Sequence, residues 1–261
     1  MADIACFKAI RPIRDKVHLV ATRPYYSYKK NVLQAKLQDN PFTFLRIINP
    51  EFNSPIKTKP NSDERFKLVS DRYKEFIERG ILIKEDTPRL YLYRQSQKDN
   101  SCVGVIGGAS VQEYLNDEIK KHEATLTSRE EMFTRYLDVV GYNAEPVLIS
   151  YKGNTQLNDS LSELLNARPE YEFSTTDGIT HELWVLSEED SVQIQNRFKS
   201  IPCTYIADGH HRSASSVRSF ENNQNTFSNS NYFLSYFVEE EQLQILEFNR
   251  LVKSLNGLSE S

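Results

Sequence analysis

The chain has 261 residues, of which 39% are hydrophobic and 26% charged, with a net charge of −4. That much apolar material supports a packed core and excludes a disordered chain, and the acidic balance excludes broad electrostatic binding of nucleic acid or of an anionic membrane. No run has the length to span a bilayer, the N-terminus lacks the apolar stretch of a secretory signal, and Cys6, Cys102 and Cys203 form neither a CxxC pair nor a disulfide framework, so a reducing cytoplasm is the expected compartment.

In chain order, residues 4–7 and 17–21 are short apolar runs that read as strands or extended chain. Residues 22–28, Thr-Arg-Pro-Tyr-Tyr-Ser-Tyr, read as a loop leaving a strand, because Pro24 pushes Arg23 towards extended geometry. Residues 31–39 suit a short helix stopped by Asn40-Pro41, and 44–48 a strand with Arg46 embedded in it. The three prolines of 49–61 mark a long connection. Residues 62–79 give the clearest helix: Phe66, Val69, Tyr73, Phe76 and Ile77 share one face, Ser62 can cap it and Gly80 ends it.

Residues 89–95 and 102–109 read as a hairpin joined by 98–101. Gly104, Gly107 and Gly108 lack the spacing of a dinucleotide fingerprint. Residues 116–123 read as a polar helix ending in Lys-Lys-His-Glu. Ser128 and Glu131 have capping-box spacing and start a helix that runs to Val140, before Gly141. A strand over 146–151, a helix over 157–167, a hairpin around Asp177-Gly178, and a helix over 187–199 follow. Strands over 201–206, 232–238 and 243–248, then Asn-Arg-Leu-Val at 249–252 and a tail at 257–261, close the chain. The alternation predicts an α+β (mixed α/β) fold: a mixed sheet with flanking helices in one domain over 1–261, a length that also accommodates two lobes.

The strongest chemical signal is Ala207-Asp208-Gly209-His210-His211-Arg212, set between the apolar strand 201–206 and a helix whose apolar positions are Ala214, Val217 and Phe220. Asp208 is a candidate N-cap, and Gly209 permits a sharp turn or close approach of a ligand. The first helical amides favour an anion, and Arg212 offers a fork suited to phosphate or carboxylate. His210 and His211 add proton donors, acceptors or metal ligands. His122-Glu123 is a second constellation, able to move protons or hold a metal. His181 and His18 read as structural. No H-E-x-x-H occurs, since position 126 is Leu, and no Walker lysine, nucleophile elbow or kinase catalytic loop is present.

Phe7-Lys8-Ala9-Ile10-Arg11-Pro12, Arg23-Pro24-Tyr25, residues 40–46, Lys121-His122-Glu123-Ala124-Thr125, residues 146–151 and residues 207–212 agree with one family. Over nearly its whole length the chain resembles the domain-of-unknown-function 1015 family, which is distantly similar to ParB, sulfiredoxin and the free serine kinases. In those proteins a Gly-x-His-Arg or Gly-x-Arg-Arg loop at a helix start holds nucleotide phosphates. The resemblance therefore implies a ParB/sulfiredoxin-like loop and helix, with that role passing to Gly209, His210, His211 and Arg212.

It also implies a phosphotransferase exchanging phosphate between a nucleotide, ADP or ATP, and a small hydroxyl metabolite, with free serine and phosphoserine first. Gly209, Arg212 and Arg23 would bind phosphate. His210 or His211 would contact the transferring group, and Asp208 or Glu123 would move the hydroxyl proton beside His122, with Mg²⁺ nearby. Two alternatives stand beside it: a metal-dependent phosphoesterase using Asp208, His210, His211 and His122, and a non-catalytic nucleotide-binding regulator. The chain departs from the family pattern in lacking an acidic residue at the Arg23 loop and a histidine at Phe248-Asn249-Arg250, and the family's C-terminal extension is expected to be absent. The site reading further expects His122 and Glu123 to lie across a cleft from His210 and Arg212, and Arg212 to face a ligand rather than the core.

Overall fold

A computed structural model of the chain describes residues 1–55, 57–98, 100–222, 231–245 and 247. The strands among them are β1 (Ile4–Ala5), β2 (Ile10–Pro12), β3 (Leu82–Lys84), β4 (Tyr91–Gln97), β5 (Asn100–Ser110), β6 (Ile119–Lys120), β7 (Val147–Tyr151), β8 (Tyr171–Ser174), β9 (Thr180–Val185), β10 (Thr204–Asp208) and β11 (Tyr232–Glu239). The α-helices are α1 (Val17–Val20), α2 (Lys30–Asp39), α3 (Leu45–Ile48), α4 (Asp63–Glu78), α5 (Val111–Leu115), α6 (Thr127–Val140), α7 (Thr155–Leu164), α8 (Glu188–Phe198) and α9 (His210–Asn222).

The main sheet runs β6-β10-β7-β11-β5-β4-β9-β8, and β1 pairs with β5 beyond the end of β4. The pairs β6–β10 and β7–β11 are parallel and the other pairs of this sheet are antiparallel, so the sheet is mixed and flanked by helices, as the alternation of elements predicts. β2 and β3 pair separately. The centre of the sheet is tight: a Cβ on Gly104 would lie 2.3 Å from the Phe237 carbonyl oxygen, so β5 and β11 meet only over a glycine.

Two clusters of buried side chains hold these elements. One contains Leu92, Val105, Ile149, Trp184 and Phe237 of the sheet with Leu157 of α7 and Ile194 and Phe198 of α8. The other joins Val20, Ile47, Phe66, Val69, Phe76 and Val140, from α1, α3, α4 and α6. Each side chain buried fully contributes roughly 1.5–3 kcal/mol. α4 forms as its pattern predicts, with Ser62 Oγ accepting the Arg65 N–H at 3.4 Å and Asp63 and Glu64 in the first turn.

Several local expectations are corrected. Residues 17–21 and 44–48 carry one-turn helices, not strands. A four-residue apolar run has no decisive periodicity, and burying Val17 with Val20 uses helical i,i+3 spacing. The polar helix expected at 116–123 lies earlier, as α5, because Ser110 caps it through the Glu113 N–H; a turn and β6 follow. The Ser128 capping box does not form: α6 starts at Thr127 after Leu126, and the Thr125 hydroxyl bonds Glu130. After β11 a 3-10 turn (Glu240–Gln242) leads into Leu243, Gln244 and Ile245, which are not in a strand. The rest of the 243–248 expectation apart from Glu247, also outside a strand, and all of 249–252 and 257–261, lies outside the described residues.

Candidate functional site

β6 and β10 run parallel, with Ile119 opposite Thr204 and Lys120 opposite Tyr205. Chain leaving the two strands therefore emerges at one end of the sheet, where open α/β sheets gather ligands. His122 and Glu123 follow β6, and Gly209 and α9 follow β10. β7 runs antiparallel to β10, with Leu148 opposite Asp208, so the segment that leads into β7 reaches the same end.

The turn is sharp. β10 has a register shift between Ile206 and Asp208, Gly209 takes φ +100°, and α9 begins at His210. The Ser213 N–H reaches the Gly209 carbonyl at 3.0 Å. The amides of His210, His211 and Arg212 thus precede the first bond of the helix and have no partner within it. Gly209 brings no side chain to cap them. The expectation that Asp208 caps α9 is corrected: its carboxylate instead accepts Arg212 Nη2 at 2.6 Å.

Arg212 is clamped between carboxylates, since Nη1 reaches Glu145 at 2.6 Å. Its side chain is 24% exposed, so it is packed against protein as well as turned to the site. Its Nε is buried and has no acceptor among the described residues. A Cβ on Gly209 would stand 2.9 Å from that Nε and from Nη2, so the glycine is what lets the guanidinium lie over the turn.

His210 ties the two halves together. It is 4% exposed, its Nε2 accepts the His122 backbone N–H at 3.4 Å, and its Nδ1 lies 3.4 Å from the Glu123 carboxylate. An accepting Nε2 assigns the ring proton to Nδ1, the nitrogen that faces the Glu123 carboxylate. The His122 and His210 rings meet edge to face at 4.4 Å. Burial, and then the neighbouring His122, push the His210 pKa below its usual value, against the pull of Glu123 and Asp208. His211 keeps a buried Nδ1 without a partner among the described residues. His122 and Glu123 are exposed. The two constellations 88 residues apart thus meet, in direct contact rather than across a cleft.

Arg23 is placed elsewhere. It pairs with Asp177 at 3.4 Å and lies over the Tyr28 ring, beside the turn joining β8 and β9 at the opposite edge of the sheet from β6. His18 is exposed on α1, and His181 is a strand residue stacked on Phe173 with Nδ1 bonded to Tyr93. Glu145 escaped the sequence reading, because only strand pairing brings it to Arg212. Among the described residues no group of three or more His, Cys, Asp or Glu side chains is arranged to hold a metal ion. Among them, too, no helix is long and apolar enough to cross a membrane.

Residues 4–261 match the model of a family described as a protein of unknown function, DUF1015. No curated protein and no solved structure matches the chain.

Proposed function

We propose that this chain, which belongs to the DUF1015 family, is a cytoplasmic phosphotransferase that exchanges phosphate between a nucleotide and a small hydroxyl metabolite, free serine first. One observation carries the reading: the Arg212 Nε is a buried donor with no acceptor among the described residues, set at a helix start that follows Gly209. A guanidinium N–H can only donate, and leaving it buried and unpaired costs about 1–3 kcal/mol. A phosphate oxygen supplies the missing acceptor, in the manner of the ParB, sulfiredoxin and serine kinase loops.

In the kinase direction the serine hydroxyl oxygen attacks the γ-phosphorus of ATP. The bond from that phosphorus to the bridging oxygen breaks, ADP leaves, and the hydroxyl proton passes to Glu123. Phosphoserine and ADP run the same step backwards. Glu123 suits the base because its carboxylate is 62% exposed and lies beside His210 Nδ1. His210, buried with its Nε2 bonded to the His122 N–H, is a positioning residue, and His211 faces the transferring group. Asp208 and Glu145 answer the positive charge of Arg212 until phosphate does. Mg²⁺ held through nucleotide phosphates needs only one or two protein carboxylates, and these two have that chemistry. The metal-dependent phosphoesterase reading lacks a three-ligand set among the described residues. The free thiols Cys6, Cys102 and Cys203 suit a reducing compartment.

The bonded Nε2 of His210, with its Nδ1 set beside Glu123, also favours a second reading, a regulator that binds nucleotide without turnover. Titration with ATP, ADP, serine and phosphoserine, followed by transfer of labelled γ-phosphate to serine with Mg²⁺ present, separates them. Nucleotide binding with label in phosphoserine supports the transferase, binding without transfer supports the regulator, and no nucleotide binding overturns both.

A further inference from the structure

A second cationic recess lies away from this loop, between α3 and the C-terminal half of α4. It is a cavity of about 70 Å³ lined by Arg46, Arg72 and Arg79, with Glu75 as its one acidic wall among the described residues. Space for one water takes roughly 10–15 Å³ on this measure, so the cavity suits a group of a few heavy atoms and is too small for a nucleotide.

The three guanidiniums are held before any ligand arrives. Arg46 lies over the Phe52 ring at 5.7 Å and donates through Nη2 to the Gln38 carbonyl at 3.2 Å. Arg79 lies over the Phe76 ring at 5.8 Å. Arg72 and Arg79 share Glu75, at 2.6 and 3.2 Å. Stacking of this kind fixes the plane of a guanidinium and leaves its edge free to donate. Three positive groups against one carboxylate leave a local charge of +2. The Nε of Arg46 is buried and has no acceptor among the described residues, although Arg46 lines the cavity.

We infer that this cavity binds a phosphate group, as the free ion or as the head of a small phosphate monoester. A dianionic phosphate matches the local charge. Its oxygens can accept from Arg46 Nε and from the edges of Arg72 and Arg79 together, which a carboxylate with two oxygens does less completely. The site is independent of the loop at Gly209, since it draws on different helices and on different residues.

The test is calorimetric titration of the full chain with inorganic phosphate, and with glycerol 3-phosphate, at fixed ionic strength. Arg46→Gln and the double variant R72Q/R79Q should each weaken one saturable phosphate site at least tenfold. Glu75→Gln, which removes the competing carboxylate, should tighten it. Arg72 is exposed on α4 and Arg79 at its C-cap, so the double variant decides the matter if Arg46→Gln fails to fold. The tighter of the two ligands tells the free ion from the monoester. Phosphate binding unchanged in both arginine variants overturns the inference, as does a wild type whose only saturable site disappears in Arg212→Lys.

Discussion

Gly209→Ala puts a methyl group where the Arg212 guanidinium lies, with Nε and Nη2 both 2.9 Å from the new carbon and Cζ at 3.3 Å. Two costs follow. An L-residue at φ +100° is strained by about 1–3 kcal/mol. The guanidinium must also withdraw from Asp208 and Glu145. Those carboxylates are 72% and 65% exposed, so each pair ranks as a surface pair worth roughly 0.2–1 kcal/mol. The midpoints of the two ranges sum to a stability loss on the order of 3 kcal/mol. For ligand, the variant loses a charge-assisted bond of about 1.5–3 kcal/mol, and binding weakens roughly tenfold to hundredfold. Urea unfolding reads the first effect and calorimetric titration with ATP the second. A double-mutant cycle with Arg212→Ala isolates the route. Without the guanidinium the methyl has nothing to displace, so Gly209→Ala should cost no further affinity in that background. Wild-type affinity in Gly209→Ala would refute the reasoning, and an equal loss in both backgrounds would mean that the methyl blocks the ligand itself.

Arg212→Lys keeps the charge but cannot span two carboxylates or present a fork, so ATP affinity should fall by roughly tenfold to hundredfold while stability falls by about 1 kcal/mol or less, both measured as above. His210 titrates below its ordinary value in the folded state, so the unfolded chain binds the proton first. Its contribution to stability is complete above about pH 6.5 and is lost as pH falls through the lowered value. The melting temperature should decline between pH 7 and pH 5, less steeply in His210→Gln; identical slopes would remove His210 from the account. Burial pushes Glu113 up to about 7, with its carboxylate accepting the Asp3 N–H at 2.8 Å. A raised carboxyl group stabilises below the unfolded value and loses that contribution as pH rises through 7. Glu113→Gln should therefore melt above the wild type at pH 8 and level with it at pH 4, by scanning calorimetry.

The strand, turn and helix at 204–222 were legible because the residue types agree: an apolar run, then a glycine, then polar residues with helical spacing. The apolar face of α9 keeps Val217 in the core with Phe220 packed against it, and Ser213, Ser215 and Ser216 are buried where Ala214 is not, because serine hydroxyls return to carbonyls one turn back, Ser216 Oγ to Arg212 O at 2.9 Å, and so enter the interior with their polarity answered. α4 was legible because five apolar residues and a cap name one face. Residues 17–21 and 44–48 were not, since one turn of helix and a short strand bury the same few atoms. Of the site, the meeting of His122-Glu123 with His210 followed from chemistry alone. Glu145 and Arg23 did not, because the pairing of β7 with β10, and the whole width of the sheet between β6 and β8, are tertiary facts that no local spacing encodes.

Of the two strands that deliver the site, β6 is only two residues long and forms the rim of the sheet, paired among the described residues with β10 alone. Few ladder bonds must open to release it, whereas freeing β10 means parting it from β7 as well. The Glu123 half can therefore detach in a sub-global fluctuation that leaves the Arg212 half folded. Amide hydrogens of Ile119 and Lys120 then exchange with solvent faster than those of β10, and a ligand spanning both halves slows that exchange by holding the rim shut.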